Sequence, residues 1–401
     1  MNKVIAVNAG SSSIKYKMFL MPEEIVVCSG IVDRIGHDDA IFKMKGEGLN
    51  HVETLPIKDH SLGVKLILDG LKKFGIVKDL KEIVAVGHRV VQGGKYFSKS
   101  VIFDEDAKQK IESLIPLDPL HAPAHIMGYE AFKKALPDAI EIAVFDTAYH
   151  QTMEEEDYLF PIPYELSKKY DIRRYGAHGT SHQYLVEKGI HDFLNDAPHS
   201  KIISCHIGSG ASLTAALDGK SIATSMGLTP LGGVMMGTRS GDIDPSICDY
   251  LSTSTGMDIH QIYDLLNKKS GLLGVSDNLS NDTRDIEAAI DEGNENAIRA
   301  GKLFARRIAD FIGQYYVRLG GCDLIIFSAG IGENSVYFRK EILKRVEEAL
   351  KLDIDYTLNE TENHKEALIS KSTSPIKVAI IPTDEEVMIA RNLEKALEGK
   401  L

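Results

Sequence analysis

Nine residues near the start of the chain, Asn8 to Tyr16, read NAGSSSIKY. The apolar run Val4 to Val7 precedes them, and alternation resumes at Ile14, Tyr16 and Met18, so a strand, a small-residue turn and a second strand are expected. A plain hairpin turn needs glycine or asparagine, not three serines and a lysine. Glycine-rich turns after strands expose backbone N–H groups, which cradle phosphate oxygens. The chain has three: Gly10–Ser13, Gly208–Ser212 and Gly330–Asn334. One is ordinary hairpin chemistry. Three in an alternating α/β chain favour a nucleotide held between two lobes. Two common phosphate signatures are missing: G-x-x-x-x-G-K-[ST] needs glycine where Thr214 stands, and G-x-G-x-x-G needs it at Leu213 or Ser335.

Positive charge gathers where strands end. Arg89 follows the apolar run Ile83–Val86, and Arg239 sits in MMGTRSGDIDP with a glycine on either side. Arginine suits bidentate contact with carboxylate or phosphate. A loose surface ion pair is the other reading, and inside a glycine-rich loop the two weigh about evenly. His121 and His125 are four apart, as are His178 and His182, but neither pair carries the glutamate of H-E-x-x-H, so zinc is not expected. His206 reads equally as a core histidine. His178 lies between glycines in YGAHGTS, which favours approach of a ligand to backbone. Asp146 ends an apolar strand, and Glu385 and Glu386 follow another; such acids hold Mg²⁺ directly or through water. Thr383 and Glu386 have the spacing of a capping box, which leaves Glu385 as the candidate for metal.

The elements that must position these groups alternate. Strands are expected at 3–7, 14–20, 83–86, 140–145, 201–205, 323–327 and 376–381, with helices at 62–74, 104–114, 124–136 and 296–319. The second half opens as the first does: Asn8-x-Gly10-Ser11 and His206-x-Gly208-Ser209 both follow an apolar strand and precede another, the mark of an internal repeat. The acidic run Glu154–Asp157, followed by Pro161 and Pro163, suggests a domain boundary. At 401 residues two to three domains are expected. A net charge of −12 argues against nucleic acid or an anionic membrane as the main partner, and no apolar run reaches the length of a membrane span. Four scattered cysteines and no secretory h-region point to a reducing, cytoplasmic setting.

Nine ordered motifs, NAGSSSIKY, GHRVVQGG, DPLHAPAH, VFDTAYH, YGAHGTSH, HIGSGAS, MGTRSGDIDP, AGIGEN and PTDEE, resemble the acetate kinase family along essentially the whole chain. The resemblance implies an α/β fold of the duplicated actin-like, ribonuclease H-like kind, with two lobes and a nucleotide cleft between them. Residues 1–150, joined by a C-terminal helix at 386–401, would form one lobe, and residues 151–385 the other. It also implies reversible phosphoryl transfer between ATP and acetate, giving acetyl phosphate and ADP, with Mg²⁺ (or Mn²⁺) as metal and a homodimer as the assembly.

By motif, Asn8 and Glu385 would bind the metal. Lys15, the run His206, Ile207, Gly208, Ser209 and Gly210, the trio Asp282, Thr283 and Arg284, and the run Gly330, Ile331, Gly332, Glu333 and Asn334 would bind nucleotide. Arg89 would hold the substrate carboxylate, with Val91, Leu120 and Pro230 around its methyl group. His178 and Arg239 would stabilise the transition state, and Asp146 would be the catalytic aspartate. The family often has asparagine at 209, glutamate at 232 and asparagine at 384, where this chain has Ser209, Gly232 and Asp384. A carboxylate with a pKa near 4 is already ionised at neutral pH, so no general base is needed, and Asp146 is expected to position groups or metal. A propionate or other short-chain acyl kinase is the nearest alternative; an actin- or Hsp70-like ATPase is the alternative from another class.

Overall fold

The computed structural model describes residues 1–363 and 365–401. Contacts divide these into two compact units, residues 1–149 with 384–401, and residues 150–383. The first is built on an eight-stranded sheet: β1 (Asn2–Ala9), β2 (Ser13–Met21), β3 (Ile25–Asp33), β4 (Ala40–Gly46), β5 (Leu49–Leu55), β6 (Ile83–Val90), β7 (Val101–Ile102) and β8 (Ile140–Phe145). Their order across the sheet is β5-β4-β3-β2-β1-β6-β8-β7. The second holds six strands: β9 (Lys201–Ile207), β10 (Ala211–Leu217), β11 (Lys220–Thr224), β12 (Leu324–Ser328), β13 (Ala367–Leu368) and β14 (Lys377–Ile380), ordered β11-β10-β9-β12-β14-β13.

The repeat expected from two turns is a repeat of whole sheets. β3-β2-β1-β6-β8 and β11-β10-β9-β12-β14 have the same order. In each, the first three strands are antiparallel and the last two run parallel to the inner one. The chain is α/β, as expected. The antiparallel extension β3 to β5 is not among the strands expected from sequence, because β5 alternates weakly and is largely exposed.

Strand alternation decides what each face carries. In the first unit Ile5, Val7 and Ala9 of β1 pack with Ile14, Tyr16 and Met18 of β2 in one apolar cluster. The opposite face takes Gly87 and Arg89 of β6 and, two residues on from Ala6, which pairs with Gly87, Asn8 of β1. The helix Glu385–Leu397 covers that face; a Cβ on Gly87 would lie 2.3 Å from Ile389 Cγ2, so glycine is what admits the helix. In the second unit Ile203, Cys205 and Ile207 pack against the 25-residue helix Glu295–Leu319, whose apolar stripe includes Phe304, Ile308 and Ile312. The other face of β9 changes character along its length, from Ile202 to Ser204 to His206, beneath the helix Gly179–Lys188.

Two local expectations are corrected. The helix at the C-terminus begins at Glu385, and its N-cap is Asp384, whose carboxylate accepts from Val387 N–H at 3.0 Å. There is no capping box from Thr383 to Glu386: Thr383 Oγ1 lies 2.7 Å from Ser181 Oγ, and Glu386 pairs with Lys17 at 3.5 Å. The run Gly330–Asn334 belongs to a short helix, Ala329–Asn334, rather than an open turn. The acidic run 154–157 is likewise held, with Arg318 of the long helix paired to Glu156 at 3.3 Å and to Asp157.

Candidate active site

In the first unit the C-terminal ends of β1, β6 and β8 bring charged groups to one face. Asp146 is buried, and its N–H donates to Val90 O at 2.9 Å, which fixes it beside β6. Arg89 grips its carboxylate with two donors, Nη2 at 2.7 Å and Nε at 3.1 Å. Arg89 Nη1 faces Glu385 at 3.5 Å. Asp146, then Glu385, hold the Arg89 guanidinium above its ordinary value against the effect of burial. Burial pushes the Glu385 carboxyl up, with Asp146 and Glu386 adding to the push and Arg89 and Lys15 opposing it. Lys17 bonds Asp384 at 3.0 and 3.2 Å. The extra carboxylate at 384 is thus matched by a lysine and anchors the residue before Glu385.

Lys15 lies across from Asn8 in the β1–β2 pair and is exposed, with no ion pair among the described residues. The serines between them form the turn, closed by Gly10 N–H to Ser13 O at 2.7 Å. Val91 follows β6, and its N–H donates to Nε2 of buried His125 at 3.3 Å. Burial, then the charges of Arg89 and His121, hold His125 down to about 3, so it stays an uncharged acceptor. Leu120 is 61% exposed in the segment before the helix Ala122–Ala135.

The second unit gathers the other set. The turn after β9 is closed by Gly208 N–H to Gly210 O at 3.0 Å, and Ser209 O accepts from Gly237 N–H at 3.2 Å, which ties it to the Arg239 loop. Arg239 is half-buried. Its Nη1 donates to Pro230 O at 3.1 Å and lies 3.6 Å from Met236 Sδ, and it has no carboxylate partner among the described residues. Burial lowers its pKa from the ordinary value. His178 starts the helix Gly179–Lys188 with a left-handed backbone (φ 56°), and its Nδ1 lies 2.8 Å from Ser212 Oγ. Its ring stacks on His206 at 4.2 Å between centroids. His178 and Arg239 converge on Gly210: a Cβ there would lie 3.4 Å from Arg239 Nη1 and 3.6 Å from His178 Nε2.

Beside this turn is a cavity of about 720 Å³, in the size range of small-molecule sites. Ser209, Asp282, Thr283, Arg284, Gly330, Ile331 and Asn334 line it, all of them candidates from sequence. Asp282 N-caps the helix Thr283–Asp291 and pairs with exposed Arg284, Nε at 3.0 Å. Asn281, Glu287 and Ser335 line it too and are not among the residues expected from sequence. Glu287 comes one helical turn after Thr283, a spacing that places both on one side of the helix. Burial raises its carboxyl, and Ser335 Oγ donates to it at 2.6 Å. His206 and Ile207 are buried in β9, and Gly332 is buried as well. Glu333 turns its carboxylate to the backbone, accepting from Ala329 N–H at 2.8 Å and Thr383 N–H at 3.1 Å.

Residues 3–391 match the acetokinase family profile. An acetate kinase of Bacillus subtilis (strain 168) is 50% identical over 393 residues, 98% of this chain and 99% of that protein. The crystal structure of Porphyromonas gingivalis acetate kinase superposes with a TM-score of 0.93 at 41% identity, covering 99% of this chain and 100% of that one. A propionate kinase from Francisella tularensis subsp. tularensis SCHU S4 gives 0.91 at 39% identity, with 98% of each chain covered.

Proposed function

We propose that this chain, which belongs to the acetokinase family, is an acetate kinase: a phosphotransferase that moves the γ-phosphoryl group of ATP to a carboxylate oxygen of acetate and runs in reverse from acetyl phosphate and ADP. The observation that carries the mechanism is Arg239, a half-buried guanidinium without a carboxylate partner among the described residues, set with His178 around Gly210. A cation held in that state is suited to an anion supplied by substrate.

The second unit's cavity takes the nucleotide, with Asp282, Thr283 and Arg284 on one wall and Gly330, Ile331 and Asn334 on the other. Lys15 adds charge for the phosphates. Arg89 takes the acetate carboxylate through the N–H groups that Asp146 leaves open, with Val91 and Leu120 of the same unit for its methyl group. An acetate oxygen forms a bond to γ-phosphorus as the bond from that phosphorus to the β-bridging oxygen breaks, and ADP leaves. Charge spread over the three equatorial oxygens is met by Arg239 and His178.

Asn8 and Glu385 would hold Mg²⁺, or Mn²⁺. The donor set fits: an amide and a carboxylate offer oxygen, which hard cations prefer. Among the described residues no three histidine, cysteine or acidic side chains cluster as a metal site. A cation of this kind takes one or two protein ligands and keeps water and phosphate oxygens for the rest. When bound, it neutralises charge on the phosphates.

The assembly we propose is a homodimer in the cytoplasm. Its support is the apolar surface of the second unit, where Ile247, Tyr250, Ile259 and Tyr263 are exposed on the helices Ser246–Thr255 and Ile259–Lys268. No described helix is long and apolar enough to cross a membrane.

Steady-state kinetics in the direction of ADP formation test the assignment. Arg89→Gln is expected to raise the acetate KM about tenfold or more, the scale of a charge-assisted hydrogen bond. Arg239→Gln is expected to cut kcat by about 10²–10³ with little change in either KM. Equal effects of both changes on both parameters would overturn the division of roles.

A further inference from the structure

Behind His178 lie three polar side chains with no part in the transfer chemistry above. Ser204, His182 and Ser212 are fully buried. Ser204 Oγ is 2.6 Å from His182 Nδ1; His182 Nε2 is 2.8 Å from Ser212 Oγ; Ser212 Oγ is 2.8 Å from His178 Nδ1. The arrangement follows from the sheet: Ser204 of β9 and Ser212 of β10 share its polar face, and His182 sits one helical turn after His178.

The proton positions along this line are linked. A neutral imidazole has one N–H and one lone pair, and a hydroxyl has one hydrogen to give. Ser204 sets the direction. Among the described residues its hydroxyl has one partner, His182 Nδ1. If it withheld its hydrogen from that nitrogen, a buried donor would be left unsatisfied, the costlier of the two defects. Ser204 therefore donates to His182 Nδ1. His182 then carries its proton on Nε2 and donates to Ser212, and Ser212 donates to His178 Nδ1.

We propose that Ser204, His182 and Ser212 are positioning residues that set the tautomer of His178, so that uncharged His178 presents an Nε2–H donor to the transferring phosphoryl group. The inference rests on the role given to His178 above. Burial, with His150 and His206 adding, holds His182 well below its ordinary value, which keeps it the neutral relay the line requires. The groups that face the pair include His206, stacked on His178, Arg239 across Gly210, and His150, edge-on to His182 at 5.8 Å.

The test is long-range ¹H–¹⁵N correlation on the full chain labelled at histidine, at pH about 8.5, well above the ordinary imidazole value of about 6.5. Signals are assigned by their loss in His178→Gln and His182→Gln. Both imidazoles are expected as the Nε2–H tautomer. In Ser212→Ala, His178 is expected to become a mixture of tautomers and kcat to fall about tenfold, with the ATP KM within about twofold, the scale of one lost hydrogen bond; Ser212→Thr restores both. An Nδ1–H tautomer or an imidazolium at either histidine in the unmodified chain overturns the proposal, and that spectrum does not depend on any variant folding. An unchanged tautomer and kcat in Ser212→Ala overturns it as well. If the unmodified protein makes no acetyl phosphate, the functional reading fails, while the tautomers are still read directly.

Discussion

Asp146 and Glu385 are two buried carboxylates on either side of one guanidinium, and their environments give them different work. Arg89 covers both oxygens of Asp146. A carboxylate so occupied aims the arginine, and both of its oxygens are already engaged by guanidinium N–H groups. Asp146→Asn is therefore expected to lower kcat at every pH without moving the pH profile; a loss repaired only by raising the pH would restore the base. Glu385 is held with its carboxyl above the ordinary value. The folded chain then binds this proton more tightly than the unfolded one. Its contribution to stability is full below the unfolded value and is lost as the pH rises through the folded value. At neutral pH Glu385→Gln should accordingly melt no lower than the parent, while losing the rise in melting temperature that Mg²⁺ gives the parent. A parent with no such rise, or a variant that keeps it, removes Glu385 from the metal. Arg89, Arg239 and His178 stand out in the sequence, one at the end of an apolar run and two among glycines, and the structure brings the last two together around Gly210. The line from Ser204 to His178 is not legible in the sequence, since serine spacing means nothing until strand register brings the hydroxyls together.

At the scale of elements, the helix Glu385–Leu397 delivers Glu385 to the sheet only because β6 has no side chain at Gly87. Gly87→Ala would force a Cβ against Ile389 and Leu393, neither of which has room to retreat in a packed core. The expected cost is about 1–3 kcal/mol, read as a lower urea midpoint, together with weaker Mg²⁺ protection. A variant as stable as the parent would show that the helix does not pack as closely as described. The buried strands and the long helix were readable, because apolar runs and a 3.6-residue stripe are strong signals. The start of the last helix was misread. Thr383 and Asp384 are both good caps by type, and the choice fell to Asp384 through Lys17, a partner 367 residues away in sequence. The glycines of Gly330–Asn334 suggest a turn; the Glu333 carboxylate, bonded back to Ala329 N–H, closes the stretch into a helix.

The molecule as a whole is one sheet plan used twice, each sheet ending in a glycine-bearing turn after its first strand. Two matching turns in the sequence were enough to suggest the duplication, since a strand, a small-residue turn and a strand recurring in the same surroundings is hard to produce otherwise. What could not be read was the division of polar groups between the faces of each sheet, which depends on register. With a net charge of −12, the anion binding proposed above rests on the local placement of Arg89, Arg239 and Lys15 and not on the overall field. The acceptor is the central claim, and trapping the product tests it most directly. The protein is incubated with ATP, Mg²⁺ and hydroxylamine and, in turn, formate, acetate, propionate, butyrate or glycerol, and acyl hydroxamate and ADP are measured together. The account predicts hydroxamate highest with acetate, ADP in equal amount, and neither with glycerol. A maximum with propionate would move the chain to the sister activity, and ADP without hydroxamate from any acid would contradict carboxylate phosphorylation altogether.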